Sequence, residues 1–144
     1  MGEAREVMDR FTEALTTGQD PAAVAALFAA DAVVVVPDEG EIRGRDNIGE
    51  YFRQFTEAIP DGKYEPVYAW EVGNTAIDEG FFSGRNTGPL ALPSGEKLPA
   101  TQKQVRMRGC DFATVEGGLI VSYRLYFDQM EFLGQLGLLP DMPS

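Results

Sequence analysis

The chain has 144 residues, of which 44% are hydrophobic and 24% charged, with a net charge of −11 and an isoelectric point near 4.3. That length allows one domain with a real core or a ligand cavity, and we expect a single domain across residues 1–144. The composition excludes a disordered or membrane class, and the acidity argues against nucleic-acid phosphate as a partner, because such binding needs clustered Lys and Arg.

Taken in order, residues 3–17 carry Ala4, Val7, Met8, Phe11, Ala14 and Leu15 at steps of three and four, a helical stripe that stops at Gly18. Asp20 and Pro21 supply an N-cap and a first-turn proline for a short helix through Ala29, with Val24, Leu27 and Phe28 inward. The β-branched run from Ala32 to Val36 reads as a buried strand ended by Pro37. Glu39-Gly40-Glu41 turns the chain into a short strand at Ile42-Arg43, followed by a helix over residues 46–58 that places Ile48, Tyr51, Phe52 and Phe55 inward. Pro60-Asp61-Gly62 stops it. Four long strands are predicted over residues 63–72, 75–85, 101–115 and 118–129, with tight turns at Gly73-Asn74 and Gly117-Gly118 and a Gly/Pro-rich loop over 86–100. That loop is long enough to act as a lid or to be only a long connection.

Helices first and antiparallel strands afterwards make an α+β plan. We expect a cone-shaped, curved, mixed or antiparallel sheet, covered on one face by the N-terminal helices and enclosing a cavity. In the last strand, Leu119, Val121, Tyr123, Leu125 and Phe127 share an apolar face that wants burial against another layer or subunit and predicts a homodimer. Ile120, Ser122, Arg124, Tyr126 and Asp128 share the other, which is costly to bury unless its polar groups are used, and we read it as the face toward the cavity.

The residue inventory narrows the chemistry. With no histidine and only Cys110, neither a Ser-His-Asp nor a Cys-His relay can be built, and zinc would lack its usual ligands. Asp38-Glu39-Gly40-Glu41 does not have calcium-loop spacing, so no metal site is expected. The start, Met1-Gly2-Glu3-Ala4-Arg5-Glu6, has neither the order of a secretion signal nor a hydroxyl residue for lipidation at position six. No apolar run reaches the ~20 residues of a bilayer span, so a soluble protein without membrane partners is expected, and the single Cys110, unable to form an internal disulfide, fits a cytoplasmic one.

The segments ending at Asp31 (Ala-Leu-Phe-Ala-Ala-Asp), at Asp46 (Ile-Arg-Gly-Arg-Asp) and at Phe55 (Tyr-Phe-Arg-Gln-Phe) belong to one pattern. With Pro60-Asp61, Gly84 to Leu90, Arg124 to Asp128 and Gln135 to Gly137, they stand in the order and spacing of SnoaL-like polyketide cyclases, members of the nuclear transport factor 2-like superfamily. The resemblance implies an α+β cone, often dimeric. It further implies intramolecular aldol closure of a polyketide-type ester without metal or organic cofactor, with an aspartate as acid/base. The position that matches this aspartate is Asp128.

The residues themselves leave two roles for Asp128: a base near the cavity, or the first member of a capping box, Asp128-Gln129-Met130-Glu131, for a short final helix. Tyr126 is the candidate donor to a developing enolate oxygen, and Arg124 either orients an ester or pairs with a neighbouring acid. Tyr51, Phe55 and Trp70 suit a flat apolar guest, or simply fill the core. Asn86, in the turn where relatives commonly carry histidine, completes the expected substrate contacts. Asp78 and Glu79 point to opposite faces, with parity silent on which faces inward. Arg106 and Arg108 share a face and are expected to balance acids there. Rival functions are a related isomerase, an epoxide hydrolase, a cofactor-free oxygenase on a small apolar substrate, or a non-catalytic binding domain; a second acid beside the first would favour the hydrolase.

Overall fold

The computed structural model describes residues 2–17, 20–92 and 94–139; the helix stop read at Gly18 lies outside them. Helix α1 (Glu3–Leu15) buries Ala4, Val7, Met8 and Phe11, the stripe that its spacing predicts. Its first residues offer no side-chain cap of their own. Glu71 of a distant strand serves instead, accepting from the backbone N–H of Gly2 (2.9 Å) and Arg5 (3.0 Å), which holds the Glu71 carboxyl below its usual range.

Helix α2 (Pro21–Ala26) begins where Asp20 accepts from the N–H groups of Ala22 and Ala23, with Pro21 in the first turn. It ends three residues earlier than its helical pattern suggests. Phe28 already belongs to strand β1 (Phe28–Val36), because Leu27 O accepts from Ile120 N at 2.8 Å and Phe28 pairs with Ile120. A long-range pairing overrides a local propensity there. Strand β2 (Gly40–Arg43) follows, then α3 (Arg45–Ala58), entered through Gly44 at φ 89°, a left-handed backbone that favours glycine.

The remaining strands are β3 (Lys63–Val72), β4 (Thr75–Arg85), the two-residue β5 (Leu90–Ala91) and β6 (Lys97–Leu98), β7 (Gln104–Glu116) and β8 (Leu119–Phe127), before α4 (Gln129–Gln135). The main sheet runs β2-β1-β8-β7-β4-β3. Every neighbour pair is antiparallel except β1 with β8. The sheet is therefore mixed, curved and backed by helices, as the α+β plan requires. The loop of residues 86–100 contains the small β5–β6 hairpin.

Two apolar clusters form beneath the helices. One gathers Phe11, Phe28, Phe52 and Tyr123 with ring centroids 5.0–6.3 Å apart, mostly edge to face. The other packs Ala58, Ile59, Val105 and Met107 against Phe132 and Leu136 of the α4 segment. The space between them is lined by residues of both clusters.

Candidate active site

Strand β7 alternates Val105, Met107, Gly109, Asp111, Ala113 and Val115 toward the helices, an apolar row broken by one carboxylate. In β4, Asp78 takes the position opposite Asp111, and Gly80 stands opposite Gly109. Tyr123 of β8 lies opposite Ala113, one diagonal step from Asp111, and its hydroxyl donates to Asp111 Oδ2 at 2.6 Å. Gly80 leaves room for a fourth element, the neighbouring strand β3. A Cβ on Gly80 would sit 2.5 Å from Tyr64 Oη, so only glycine lets the Tyr64 phenol lie across the sheet.

These groups surround a chamber of about 90 Å³, walled by Phe11, Phe52, Phe55, Phe82, Met107 and Phe127. Three polar groups from the sheet face it: Asp111, Tyr123 and Tyr64. The Tyr64 hydroxyl is buried without a hydrogen-bond partner, and burial pushes its pKa up, helped by Asp78 and Asp111. Burial likewise raises Tyr123 well above the usual phenol range, with Asp111 adding to it. Loss of water pushes the Asp111 carboxyl up to about 7; the hydrogen bond from Tyr123 opposes that rise and Asp78 adds to it. Asp111 therefore changes charge near neutral pH, and its Oδ1 accepts no side-chain hydrogen bond among the described residues.

Asp78 has a different neighbour. Arg5 of α1 holds both its oxygens, at 2.8 and 3.0 Å, and also donates to Asp9 at 2.8 Å. Arg5 and Asp78 are 8% and 4% exposed, a buried pair that ties α1 to β4. A groove lined by Arg5, Asp9, Lys63 and Asp78 meets the chamber at Thr12, Thr16 and Tyr64, which line both.

Of the residues singled out from the sequence, Tyr51 and Phe55 line the chamber. Asp128 does not. It is exposed and caps α4, its Oδ1 accepting from the N–H of Met130 (2.9 Å) and Glu131 (3.1 Å). Arg124 and Tyr126 are also exposed, joined by Arg124 Nε donating to Tyr126 Oη at 3.1 Å. The helices cover the Tyr123, Leu125 and Phe127 face, so the face read as cavity-directed is the outer one. Trp70 lies outside too, stacked on Tyr68 at 5.1 Å. Asn86 is wholly buried as a loop clip: its Nδ2 donates to Ala58 O and Gly88 O, and its Oδ1 accepts from Thr101 N and Oγ1. Asp78 turns out to be the inward member of its pair with Glu79. Arg106 and Arg108 stand on the outer face, over the Phe81 ring and, for Arg106, beside Glu65.

Asp111 is not among the residues singled out from the sequence; the signal that could have found it is a lone acid in an apolar alternation, the same pattern that marks Asp78 between Ala76 and Gly80. The groups around it were not legible, since Tyr64 and Tyr123 come from two other strands.

The SnoaL-like domain family matches residues 8–123, a span that holds Asp111, Tyr123 and Tyr64. The chain belongs to this family. No curated protein sequence matches it. Among solved structures, the SnoaL-like chain is similar to a protein of Jannaschia sp. CCS1 provisionally called a SnoaL-like polyketide cyclase, at 14% identity and a TM-score of 0.81, covering 96% of this chain and 94% of that one. A hypothetical protein with a ketosteroid isomerase-like fold from Catenulispora acidiphila, solved with trimethylamine, is 22% identical at a TM-score of 0.76, over 96% and 98% of the two chains. An LEH-like epoxide hydrolase of M. tuberculosis is 20% identical at 0.70, over 94% and 90%. At these identities the likeness is one of fold. Among the described residues, no group of carboxylates and cysteine is placed to hold a metal ion, and no helix is long and apolar enough to cross a membrane.

Proposed function

We propose that this SnoaL-like protein is an acid–base enzyme for a small apolar carbonyl compound, with Asp111 as the base. The observation that carries the reading is a carboxyl poised near 7, facing an apolar chamber beside a buried hydroxyl that has no partner. Ionised Asp111 takes a proton from a carbon next to a carbonyl, and Tyr64 donates to the enolate oxygen that forms. In intramolecular aldol closure, the enolate carbon then bonds to a second carbonyl of the same molecule. The new alkoxide takes back the proton held by Asp111, so no atom is gained or lost. Tyr123 keeps the carboxylate oriented throughout, and the chamber holds the reacting carbons together.

The second reading, opening of an epoxide by water, draws on Asp78 as a second acid opposite Asp111. Arg5 engages both Asp78 oxygens, which favours an anchoring role for Asp78 and thus the first reading.

The test compares wild type with Asp111→Asn on a panel of 1,3-dicarbonyl methyl esters in D2O, following exchange of the acidic C–H and ring closure by NMR. Asp111→Asn is expected to slow exchange by about 10²–10⁴-fold. Equal exchange in both proteins sinks the reading. Turnover of epoxides but not of the esters transfers the site to the second one.

A further inference from the structure

The chamber beside Asp111 has about 90 Å³, less than the roughly 150 Å³ of an apolar protein cavity that takes up benzene. A molecule with enough carbons to enolise and close a ring therefore extends beyond it. The groove between α1 and β3, of about 730 Å³, meets the chamber at Thr12, Thr16 and Tyr64. The Tyr64 hydroxyl, buried and without a partner, stands at that junction. Packing explains why the groove is open. Glu71 and Asp78 pin the start of α1 to the sheet through Gly2 and Arg5. Pro66 and Ala69 of β3 pair with Gly80 and Asp78 on the inner face of the sheet, yet both are exposed, because no helix rests on them.

The polar atoms of the groove are mostly acceptors. Arg5 donates from Nε and Nη2 to Asp9, from Nη1 and Nη2 to Asp78, and from Nη1 to Trp70 O. Every N–H of its guanidinium is thereby used, and none is left for a guest. Thr12 and Thr16 have given their hydroxyl protons to backbone carbonyls, of Met8 at 3.1 Å and of Thr12 at 2.7 Å, so their oxygens can only accept. Among the described residues, Asp9 Oδ2 and the Glu13 carboxylate accept no hydrogen bond. Lys63, on the β3 rim, is the groove cation with donors to spare, and Asp9 and Glu13 outweigh its charge. A free carboxylate or phosphate meets like charge there, whereas a hydroxyl finds oxygens to donate to.

We propose that the groove holds the non-reacting part of the substrate, and that this part is neutral and hydroxyl-bearing. The substrate class is then an amphipathic carbonyl compound, with its enolisable end in the chamber and its hydroxylated remainder between α1 and β3. Anionic counterparts, free acids among them, are rejected. Glu13, exposed on α1 and lining the groove but not the chamber, sets that preference. The inference rests on the acid–base reading only for which end of the guest reacts.

Binding of the N-methyl, N-(2-hydroxyethyl) and N-(carboxymethyl) amides of acetoacetic acid to wild type, Glu13→Lys and Glu96→Lys, by NMR titration, tests it, with near-UV circular dichroism to confirm native packing. Glu96→Lys makes the same change of charge in the β5–β6 hairpin, outside the groove. Wild type is expected to bind the hydroxyethyl amide tighter than the methyl amide, and about tenfold tighter than the carboxymethyl amide. Glu13→Lys is expected to bring the carboxymethyl amide at least level with the hydroxyethyl one and to leave the methyl amide unmoved, while Glu96→Lys keeps the wild-type order. A wild type that binds none of the three, binds all alike or prefers the carboxymethyl amide overturns the proposal. So does a Glu13→Lys protein that keeps the wild-type order, or a Glu96→Lys protein that shifts it equally. Asp111→Asn separates the two ideas. If it keeps the tail preference and full proton exchange, the groove stands and the chemistry fails; if it loses exchange while no tail is preferred, the reverse holds.

Discussion

Two aspartates illustrate how environment, not residue type, decides chemistry. Asp128 sits in water at a helix start with two N–H donors, whereas Asp111 faces an apolar chamber and accepts from a single phenol, Tyr123. The raised carboxyl has consequences that can be signed. As a base, Asp111 must be ionised, so kcat/KM is expected to rise with pH through about 7. Removing the donor from Tyr123 favours the neutral acid, so Tyr123→Phe is expected to move the midpoint of that pH–rate profile upward by about one pH unit or more. Tyr64→Phe removes a donor to the enolate without touching Asp111. It is expected to lower kcat by roughly 10²-fold with the pH midpoint unmoved, which steady-state kinetics across pH would read.

At the level of elements, β8 shows why a clean alternation misleads. Val115 pairs with Ile120 and Thr114 with Ser122, so Val121 is an extra residue, a bulge that shifts which residues face inward. Ile120 is buried on one side of it, and Tyr123 continues the inner row on the other. The strand ends just before Asp128, which caps α4. Asp128→Ala is accordingly expected to cost about 1 kcal/mol in urea unfolding, while Asp128→Asn, an equally good cap, leaves stability and ester turnover unchanged. A large loss of turnover in a well-folded Asp128→Asn protein would return that residue to the chemistry. The buried Arg5 to Asp78 link between α1 and β4 behaves differently. Asp78→Ala strands part of a guanidinium and is expected to destabilise by about 3 kcal/mol, measured by the same unfolding.

For the whole molecule, Asp111 as the proposed base is expected to set activity and stability in opposition. Its folded value of about 7 lies above the unfolded one, which is ~3.9, so between those values the native state binds the proton more tightly. That contribution to stability is full below the unfolded value and is lost as pH rises through about 7. The melting temperature of wild type relative to Asp111→Asn is therefore expected to fall from pH 4 to 8 while activity climbs. A flat difference would contradict the assigned environment. The expected homodimer also takes a new basis, because Tyr123, Leu125 and Phe127 face inward. Tyr68, Trp70 and Tyr126, 45–55% exposed on the outer sheet face, are the side chains a second copy would cover. Light scattering is expected to give a dimer for wild type and a monomer for Trp70→Glu; a monomeric wild type rejects it.

The sequence by itself determined the elements, their order and the α+β plan. Apolar spacing, Asp20-Pro21, Gly73-Asn74 and Gly117-Gly118 act over a few residues and need no partner. It also carried the family resemblance, through turns and core positions spread along the chain. What the tertiary structure decided is which side of the sheet the helices cover, and with it the site. Face assignment depends on packing between distant segments: Phe28 on Ile120, Arg5 on Asp78, Tyr64 across Gly80, Tyr123 on Asp111. A strand's period of two names the two faces but cannot say which one meets water, and only the docked helices remove the water that lifts Asp111 to neutral pH.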